Sequence, residues 1–285
     1  MISEQFAKIS FYIVAHADDW QLFMQPNVYY DLLTPSHKVV FIITTAGDAG
    51  KDETYWRARE EGMKSSVRFC LAPKEIITES TGERELNFHP VHYWSANNAI
   101  SYFLRLPDGN LDGKGFSSNH YQSLSRFGKG EINKINAIDF STSYHSWQDL
   151  LITIEAIIRF ESENLTDITV HYQDPHRKRN PNDHADHIAT GQAIQQIPFI
   201  SGFQQLLYTG YSVNSNNEKQ MTGEELFWKI GIFSAYEKTV YDICGYSTLK
   251  EGVSTYVNWC LSTAEFISIN PGSVDEKVII ETGAQ

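Results

Sequence analysis

The chain has 285 residues, 41% of them hydrophobic and 20% charged, and its 23 basic and 35 acidic residues give a formal net charge of −12. This composition is typical of a globular protein with a sizeable core and excludes a fibrous or disordered chain. The acidic balance argues against a nucleic-acid-binding protein, because phosphate backbones are bound by clustered Lys and Arg.

The cysteines, Cys70, Cys244 and Cys260, are far apart and include no CxxC pair. The sequence therefore predicts neither a disulfide framework nor a cysteine-based zinc finger. The amino-terminal segment lacks the basic flank, apolar stretch and cleavage site of a signal peptide, and no run approaches the roughly 18 apolar residues of a membrane span. We expect a cytoplasmic protein, although a processed secreted form would have the same features.

The first part of the chain alternates apolar strands with helices. Residues 9–15 and 38–45 are continuous apolar runs, typical of strands that are buried on both faces. A helix is expected over 52–71, from apolar residues at helical spacing. Two aromatic segments bounded by turn residues, 85–95 and 99–106, are more typical of antiparallel or edge strands, and a long polar loop is expected after them, over 106–136.

The second part of the chain returns to regular alternation. A capping pattern at Ser146 and Asp149 begins a helix that is expected to end near residue 160, and Thr222 with Glu225 begins another. The remaining expected elements are a strand at 167–172, a helix from His184, a strand at 203–212, a helix near 249–266 and a strand at 277–281.

This order of elements predicts the fold class. Buried strands that alternate with helices indicate an α/β fold, a Rossmann-like three-layer α/β/α sandwich with a mainly parallel sheet. We expect a single domain over residues 1–285, with an inserted antiparallel and loop-rich region at 85–140 and C-terminal helices at 215–285.

Polar residues cluster at the ends of two predicted strands. His16, Asp18 and Asp19 follow the first strand, while His184 and His187 begin the helix that follows the strand at 167–172. Open α/β sheets bind ligands outside the carboxyl ends of their strands, so the two clusters are expected to meet. Each cluster alone is more often a helix start than a site, but both together favour a metal centre.

The residue types in these clusters suit metal-assisted hydrolysis. Two histidines and one carboxylate, with water in the fourth position, form a known catalytic zinc set. One histidine and one aspartate then remain, and the reaction also requires a general base and a group that stabilises the oxyanion. Asp18 suits the base, and one histidine of the second pair suits the other role.

Two motifs resemble those of a known family. VAHADDW resembles the AHPDDE signature of the PIG-L/LmbE-like zinc deacetylases, which include N-acetylglucosaminyl-phosphatidylinositol and mycothiol-pathway deacetylases, and HADH resembles their HPDH or HSDH motif. Further segments are similar to family features in the same order: TTAGDAG, the R-x-x-E of Arg57 and Glu60, LPDG around Asp108, and QDP. The resemblance covers residues 9–190.

The resemblance implies roles for the clustered residues. His16, Asp19 and His187 would hold the zinc ion. Asp18 would be the general base that deprotonates the zinc-bound water. His184 would stabilise the tetrahedral intermediate or protonate the leaving amine.

Other positions follow the family pattern less closely. Arg57 and Asp108 match positions that contact sugar hydroxyls in the family. Ala17 replaces the usual proline and removes no ligand. Trp20 replaces the usual glutamate, and packing in the core is the simpler interpretation of this tryptophan.

The expected function is therefore that of a zinc-dependent hydrolase that removes an N-acyl group, most often acetyl, from an amino sugar or glycoconjugate. Fe²⁺ or Co²⁺ are alternative metals, because sites with two histidines and one carboxylate serve several of them. The expected partner is this small-molecule substrate, and a homo-oligomer is left open. The alternatives are a metal-dependent hydratase on the same scaffold and a non-catalytic sugar-binding module.

Overall fold

The structure, a computed structural model, describes residues 6–72, 76–213, 220–251 and 253–271. The strands are β1 Lys8–Val14, β2 His37–Thr45, β3 Glu79–Leu86, β4 His89–Ala96, β5 Ala99–Leu106, β6 Ile135–Asn136, β7 Ser143–Tyr144, β8 Ile168–Gln173, β9 Gln204–Tyr208 and β10 Phe266–Ile269. The helices are α1 Asp19–Phe23, α2 Asn27–Leu33, α3 Glu53–Leu71, α4 Leu124–Gly128, α5 Trp147–Glu161, α6 Ala185–Gln195, α7 Gly223–Cys244, α8 Thr248–Glu251 and α9 Val253–Leu261. No helix within these described ranges is both long and apolar enough to cross a membrane.

Eight strands form one sheet in the order β10-β9-β8-β1-β2-β5-β4-β3. The pairings of β1 with β2 and with β8 are parallel, and so are those of β2 with β5 and of β8 with β9. The chain passes from β1 to β2 on one side and later returns to β8 on the other. The carboxyl end of β1 therefore lies at the point where the strand order reverses, which is where open α/β sheets bind ligands.

A separate hydrophobic core covers each face of the sheet. Alternate residues of β1 point to opposite faces, so Tyr12 and Val14 belong to the core beneath α1–α3, α7 and α9. Phe11 and Ile13 belong to the core beneath α5 and α6. Burying each such side chain contributes about 1.5–3 kcal/mol. The predicted three-layer α/β/α sandwich with a mainly parallel sheet is confirmed.

Two of the predicted helix starts differ in how they are capped. The Ser146 hydroxyl accepts a hydrogen bond from the Asp149 amide at 3.1 Å and begins α5. Thr222 occupies the equivalent position before α7, but its side chain makes no capping hydrogen bond. The sequence pattern thus predicted the starts of both α5 and α7. Only the start of α5 is stabilised by the capping side chain on which the prediction was based.

The region predicted as an insertion at 85–140 is in part a continuation of the main sheet. β3, β4 and β5 pair antiparallel with one another, and β5 joins them to β2. The antiparallel strands expected at 85–95 and 99–106 are confirmed, but the first segment also contains the end of β3 and a turn at Asn87 and Phe88, with φ angles of 50° and 62°. Such turns usually contain glycine after asparagine, so the phenylalanine concealed this one.

The C-terminal helices end earlier than predicted. Residues 249–266 were expected to form one helix, but α9 ends at Leu261 and Phe266 begins β10, which pairs antiparallel with β9. A four-residue strand is too short to show a strand period in the sequence. The strand predicted at 277–281 lies outside the described residues.

Candidate metal centre

The two polar clusters meet at the carboxyl edge of the sheet, as predicted. His16 follows β1, Asp19 is the first residue of α1, and His187 lies in the first turn of α6. Because β1 and β8 are parallel neighbours, the loops that follow them are side by side. All three side chains are buried.

The three ligand atoms form a triangle of the size that a metal ion requires. His187 Nε2 lies 3.2 Å from His16 Nδ1 and 3.1 Å from Asp19 Oδ1, and the third side, from His16 Nδ1 to Asp19 Oδ1, is 3.6 Å. Ligands about 2.0–2.1 Å from a tetrahedral zinc ion are about 3.3–3.4 Å apart. The predicted ligand set therefore fits the metal.

The charges around the triangle favour a cation. Burial raises the pKa of Asp19, but His187 and His16 outweigh this effect and lower it well below its usual value, so the carboxylate is ionised. Burial lowers the pKa of His187, but Asp183 and Asp19 raise it to about 10. The carboxylates thus stabilise positive charge at this point, whether a proton or a metal ion carries it.

Asp19 is held with one oxygen free for a ligand. Its Oδ2 accepts hydrogen bonds from the His16 amide at 2.7 Å and from Gln173 Nε2 at 2.8 Å. Gln173 is itself fixed, because its Oε1 accepts a hydrogen bond from the Ala15 amide at 3.1 Å. Oδ1 therefore faces the two histidines. Gln173 lies in the QDP segment, whose role the sequence pattern did not specify.

The hydrogen bonds of His184 indicate the tautomer that donates from Nε2. Its Nδ1 accepts a hydrogen bond from the Asp186 amide at 3.2 Å, which leaves the ring proton on Nε2. Burial and the neighbouring His16 lower the pKa of His184 to about 4, so the ring is neutral at neutral pH. His184, Asp186, Asp108 and His16 also lie close enough together to hold a metal, but the Nε2 proton makes this the poorer site.

Asp18 lies in the cavity wall beside the triangle and is paired with Arg59. Two other donors of Arg59 bind the Gly47 carbonyl at 2.7 Å and the Tyr236 hydroxyl at 2.8 Å. Burial lowers the pKa of Arg59, but Asp18 raises it well above its usual value. The arginine is therefore a fixed cation that orients the Asp18 carboxylate.

The structure corrects the prediction for Arg57. Its side chain is half exposed and pairs with Glu53 on the solvent side of α3, so it does not reach the cavity. Residues two positions apart on a helix face different directions, and it is Arg59 that faces the site. Asp108, the other residue predicted to contact substrate, does line the cavity.

Trp20 packs in the core and not around the metal. It is fully buried, with its ring 5.1 Å from that of Phe41. The glutamate of the family motif thus has no counterpart here, and the space is apolar.

A cavity of about 200 Å³ opens beside the triangle. Aromatic side chains form much of its wall: Phe23, Tyr55, Phe116, Tyr211, Tyr246, Tyr256 and Trp259. The Tyr211 and Trp259 rings stack with their centroids 4.5 Å apart. The sequence analysis missed this wall, because its members are scattered along the chain without a common spacing.

Comparison with known proteins identifies the family. A family model for PIG-L, described as GlcNAc-PI de-N-acetylase, matches residues 11–197, which is more than half of the chain and includes the whole triangle. This chain belongs to the PIG-L family. No curated protein matches it. The PIG-L match ends before Tyr211, Tyr246, Tyr256 and Trp259, so this part of the cavity wall lies outside the matched region.

Several solved structures resemble the chain distantly. A deacetylase in the biosynthesis pathway of teicoplanin has 12% identity and a TM-score of 0.48, over 88% of this chain and 90% of that one. The A40926 pseudoaglycone deacetylase Dbv21 has 12% identity and a TM-score of 0.44, over 87% and 86%. GalB, the 4-carboxy-2-hydroxymuconate hydratase from Pseudomonas putida, has 10% identity and a TM-score of 0.43, over 95% and 99%. These likenesses are too distant to assign an activity.

Proposed function

We propose that this PIG-L family member is a zinc-dependent hydrolase that removes an N-acyl group, in the simplest case acetyl, from an amino sugar or sugar conjugate. The observation that carries the proposal is a metal-sized triangle of which His16 and Asp19 line one cavity, together with Asp18 and His184 in the wall of the same cavity. Family membership supports the same reaction, since the family is described as de-N-acetylases.

The residues around the cavity supply the remaining chemistry. Zinc held by His16, Asp19 and His187 would polarise the amide carbonyl and make a water more acidic. Asp18 accepts the proton of the attacking water and returns it to the amine nitrogen as the carbon–nitrogen bond breaks. His184 donates its Nε2–H to the oxygen that becomes negative in the tetrahedral intermediate.

The cavity wall supports a neutral sugar as the substrate. Its aromatic rings offer flat surfaces for the apolar faces of a sugar ring. Arg59 is the only Lys or Arg side chain that lines the cavity among the described residues, and three of its donors bind Asp18, Gly47 and Tyr236. Three consecutive basic residues, Arg177, Lys178 and Arg179, do not line the cavity, so among the described residues Arg59, which is already paired with Asp18, is the only cationic Lys or Arg side chain for an anionic substrate group.

The test combines metal analysis with turnover. The wild-type protein should contain about one zinc per chain and release acetate from N-acetylglucosamine conjugates. Asp18→Asn should keep the metal and lose about 10²–10⁴-fold in kcat. His187→Ala should lose both metal and turnover, whereas the exposed control His145→Ala should retain both.

The alternatives predict different results. Iron or cobalt in the purified protein would replace zinc in the proposal. Hydration of an unsaturated acid without acetate release would favour a hydratase. Sugar binding that survives a chelator, without turnover, would favour a binding module.

A further inference from the structure

Asp183 is a buried carboxylate directly behind the metal triangle. Its Oδ1 accepts a hydrogen bond from His187 Nδ1 at 2.9 Å, while the opposite nitrogen of that ring, Nε2, faces Asp19 and His16. Asp183 does not line the cavity and has no part in the proposed proton transfers. Its position is that of a residue which acts on the metal through His187.

The Asp183 carboxylate determines the tautomer and the orientation of the His187 ring. The hydrogen bond fixes the ring proton on Nδ1 and therefore turns the lone pair of Nε2 toward the triangle. It also prevents the ring from rotating and makes Nε2 a stronger ligand. Carboxylate partners of this kind typically change metal affinity by about 10–100-fold when they are removed.

The segment that follows β9 holds this carboxylate in place. The Tyr211 amide donates to Asp183 Oδ1 at 3.0 Å, and Asn180 Nδ2 donates to Oδ2. Asn180 is fixed in turn, because its Oδ1 accepts hydrogen bonds from the Gly210 amide and the Ser212 hydroxyl, both at 3.1 Å. Both oxygens of Asp183 thus accept hydrogen bonds.

Gly210 is required by this close packing. A Cβ atom at residue 210 would lie 2.4 Å from Asp183 Oδ1, which is well inside van der Waals contact. Residues 210–212 lie beyond residue 197, where the family match ends. The part of the chain outside the matched region thus reaches the metal ligand, and the same segment carries Tyr211 of the aromatic wall.

We propose that Asp183 is a positioning residue for the metal centre and that residues 210–212 hold it in its working orientation. This inference rests on the metal site of the proposed function. It assigns a role in metal affinity to a segment that supplies none of the three ligands, although the Tyr211 ring packs against that of His187 with centroids 5.1 Å apart.

The test measures zinc affinity directly, by competition with a chromophoric chelator, together with the melting temperature of the metal-free protein. Asp183→Ala should weaken zinc binding by about 10–100-fold. Asp183→Asn should weaken it less, because its carbonyl oxygen can still accept from His187. Gly210→Ala should also weaken zinc binding, because its Cβ atom would displace the Asp183 carboxylate. The matched control is Asp174→Asn, a buried carboxylate that pairs with Arg179 and does not contact His187.

The outcomes separate this inference from the proposed function. A zinc affinity within about twofold of wild type in both Asp183 variants, or an equal loss in Asp174→Asn, would overturn the role of Asp183. If Asp183→Ala does not fold, Asp183→Asn and Gly210→Ala decide in its place. Absence of zinc binding by the wild-type protein would overturn both proposals. Tight zinc binding with the expected affinity ratios but no acyl release would overturn only the proposed reaction.

Discussion

Arg59 and Asp18 are 41 residues apart in the chain and form an ion pair in the wall of the cavity. Both side chains are almost entirely buried, with 10% and 6% of their surfaces exposed. The pair joins α3 to the loop after β1 and fixes the carboxylate that the proposed reaction uses as its base.

Replacing Arg59 should therefore affect both turnover and stability. In Arg59→Met the Asp18 carboxylate remains buried without its partner, which costs about 3–5 kcal/mol. We expect turnover to fall by at least about tenfold because the base is no longer oriented. The control is Arg57→Met, which removes an exposed pair worth about 0.3–0.5 kcal/mol. Urea unfolding and acetate release measure the two effects, and equal results for the two variants would contradict the role of Arg59.

Asp48 ties the loop after β5 to the turn after β2. Its Oδ1 accepts from the Asp108 amide at 2.9 Å, and its Oδ2 accepts from Asn119 Nδ2 at 2.8 Å and from the Gly50 amide at 3.0 Å. Asp108 and Asn119 enclose a loop that contributes Leu111 and Phe116 to the cavity.

Removing the Asp48 side chain should make the loop between Asp108 and Asn119 more flexible. Asp48→Ala leaves the buried Asp108 amide without its acceptor, at a cost of about 1–3 kcal/mol, and also removes the acceptor of two partly buried donors. Trypsin should then cut after Lys114, whose side chain is 80% exposed, at least about tenfold faster than in wild type. Asp242→Ala, on the surface of α7, is the control. An unchanged cleavage rate in Asp48→Ala would mean that other contacts hold the loop.

The sequence predicted those parts of the molecule that depend on local pattern. β1 and β2 were recognisable because both faces of each strand are buried, which produces continuous apolar runs. His16, Asp19 and His187 were recognisable because the ends of parallel strands bring such clusters together, and the structure does place their ligand atoms within reach of one another.

The sequence did not predict features that depend on which side of a helix faces the site or on tertiary packing. Arg57 and Arg59 are two positions apart on α3, and which of them faces the cavity depends on how α3 packs against the sheet. Asp183 precedes the histidine motif, but its role follows from the approach of Gly210 and Tyr211 from a distant segment. The aromatic wall is assembled in the same way.

Tyr246 tests whether the aromatic wall binds the substrate. It lines the cavity and contacts Tyr55, with ring centroids 5.0 Å apart. Tyr246→Ala removes a stacking surface worth about 1 kcal/mol, so KM should rise about fivefold. The value of kcat should change little, because stacking on the sugar is the same in the ground and transition states. Tyr241→Ala, an exposed tyrosine that does not line the cavity, should leave KM unchanged.

Lys229 should make stability depend on pH. It is buried on α7 and donates hydrogen bonds to the carbonyls of Trp259 and Ser262, both at 2.7 Å, which anchors the end of α9. Burial lowers the pKa of Lys229 from 10.5 to about 7, although Cys260 raises it slightly.

The sign of the effect follows from proton binding. Between pH 7 and 10.5 the unfolded chain keeps its proton on this lysine, whereas the folded chain loses it. The unfolded state therefore binds more protons, and the free energy of unfolding rises with pH across this range, by at most about 1.4 kcal/mol per pH unit from one group. Below pH 7 both states are charged and this contribution is constant.

Urea unfolding at a series of pH values measures this contribution. Lys229→Met should lose the rise between pH 7 and 10.5, and it should be most stable relative to wild type at pH 7 and below, where the buried charge is costly. The loss of the two hydrogen bonds to α9 offsets part of that gain at every pH and so does not change the slope. Lys238→Met, whose lysine is 71% exposed, should keep the wild-type slope. A slope that persists in Lys229→Met would place its origin in another group, because no proton can bind at residue 229 of that variant.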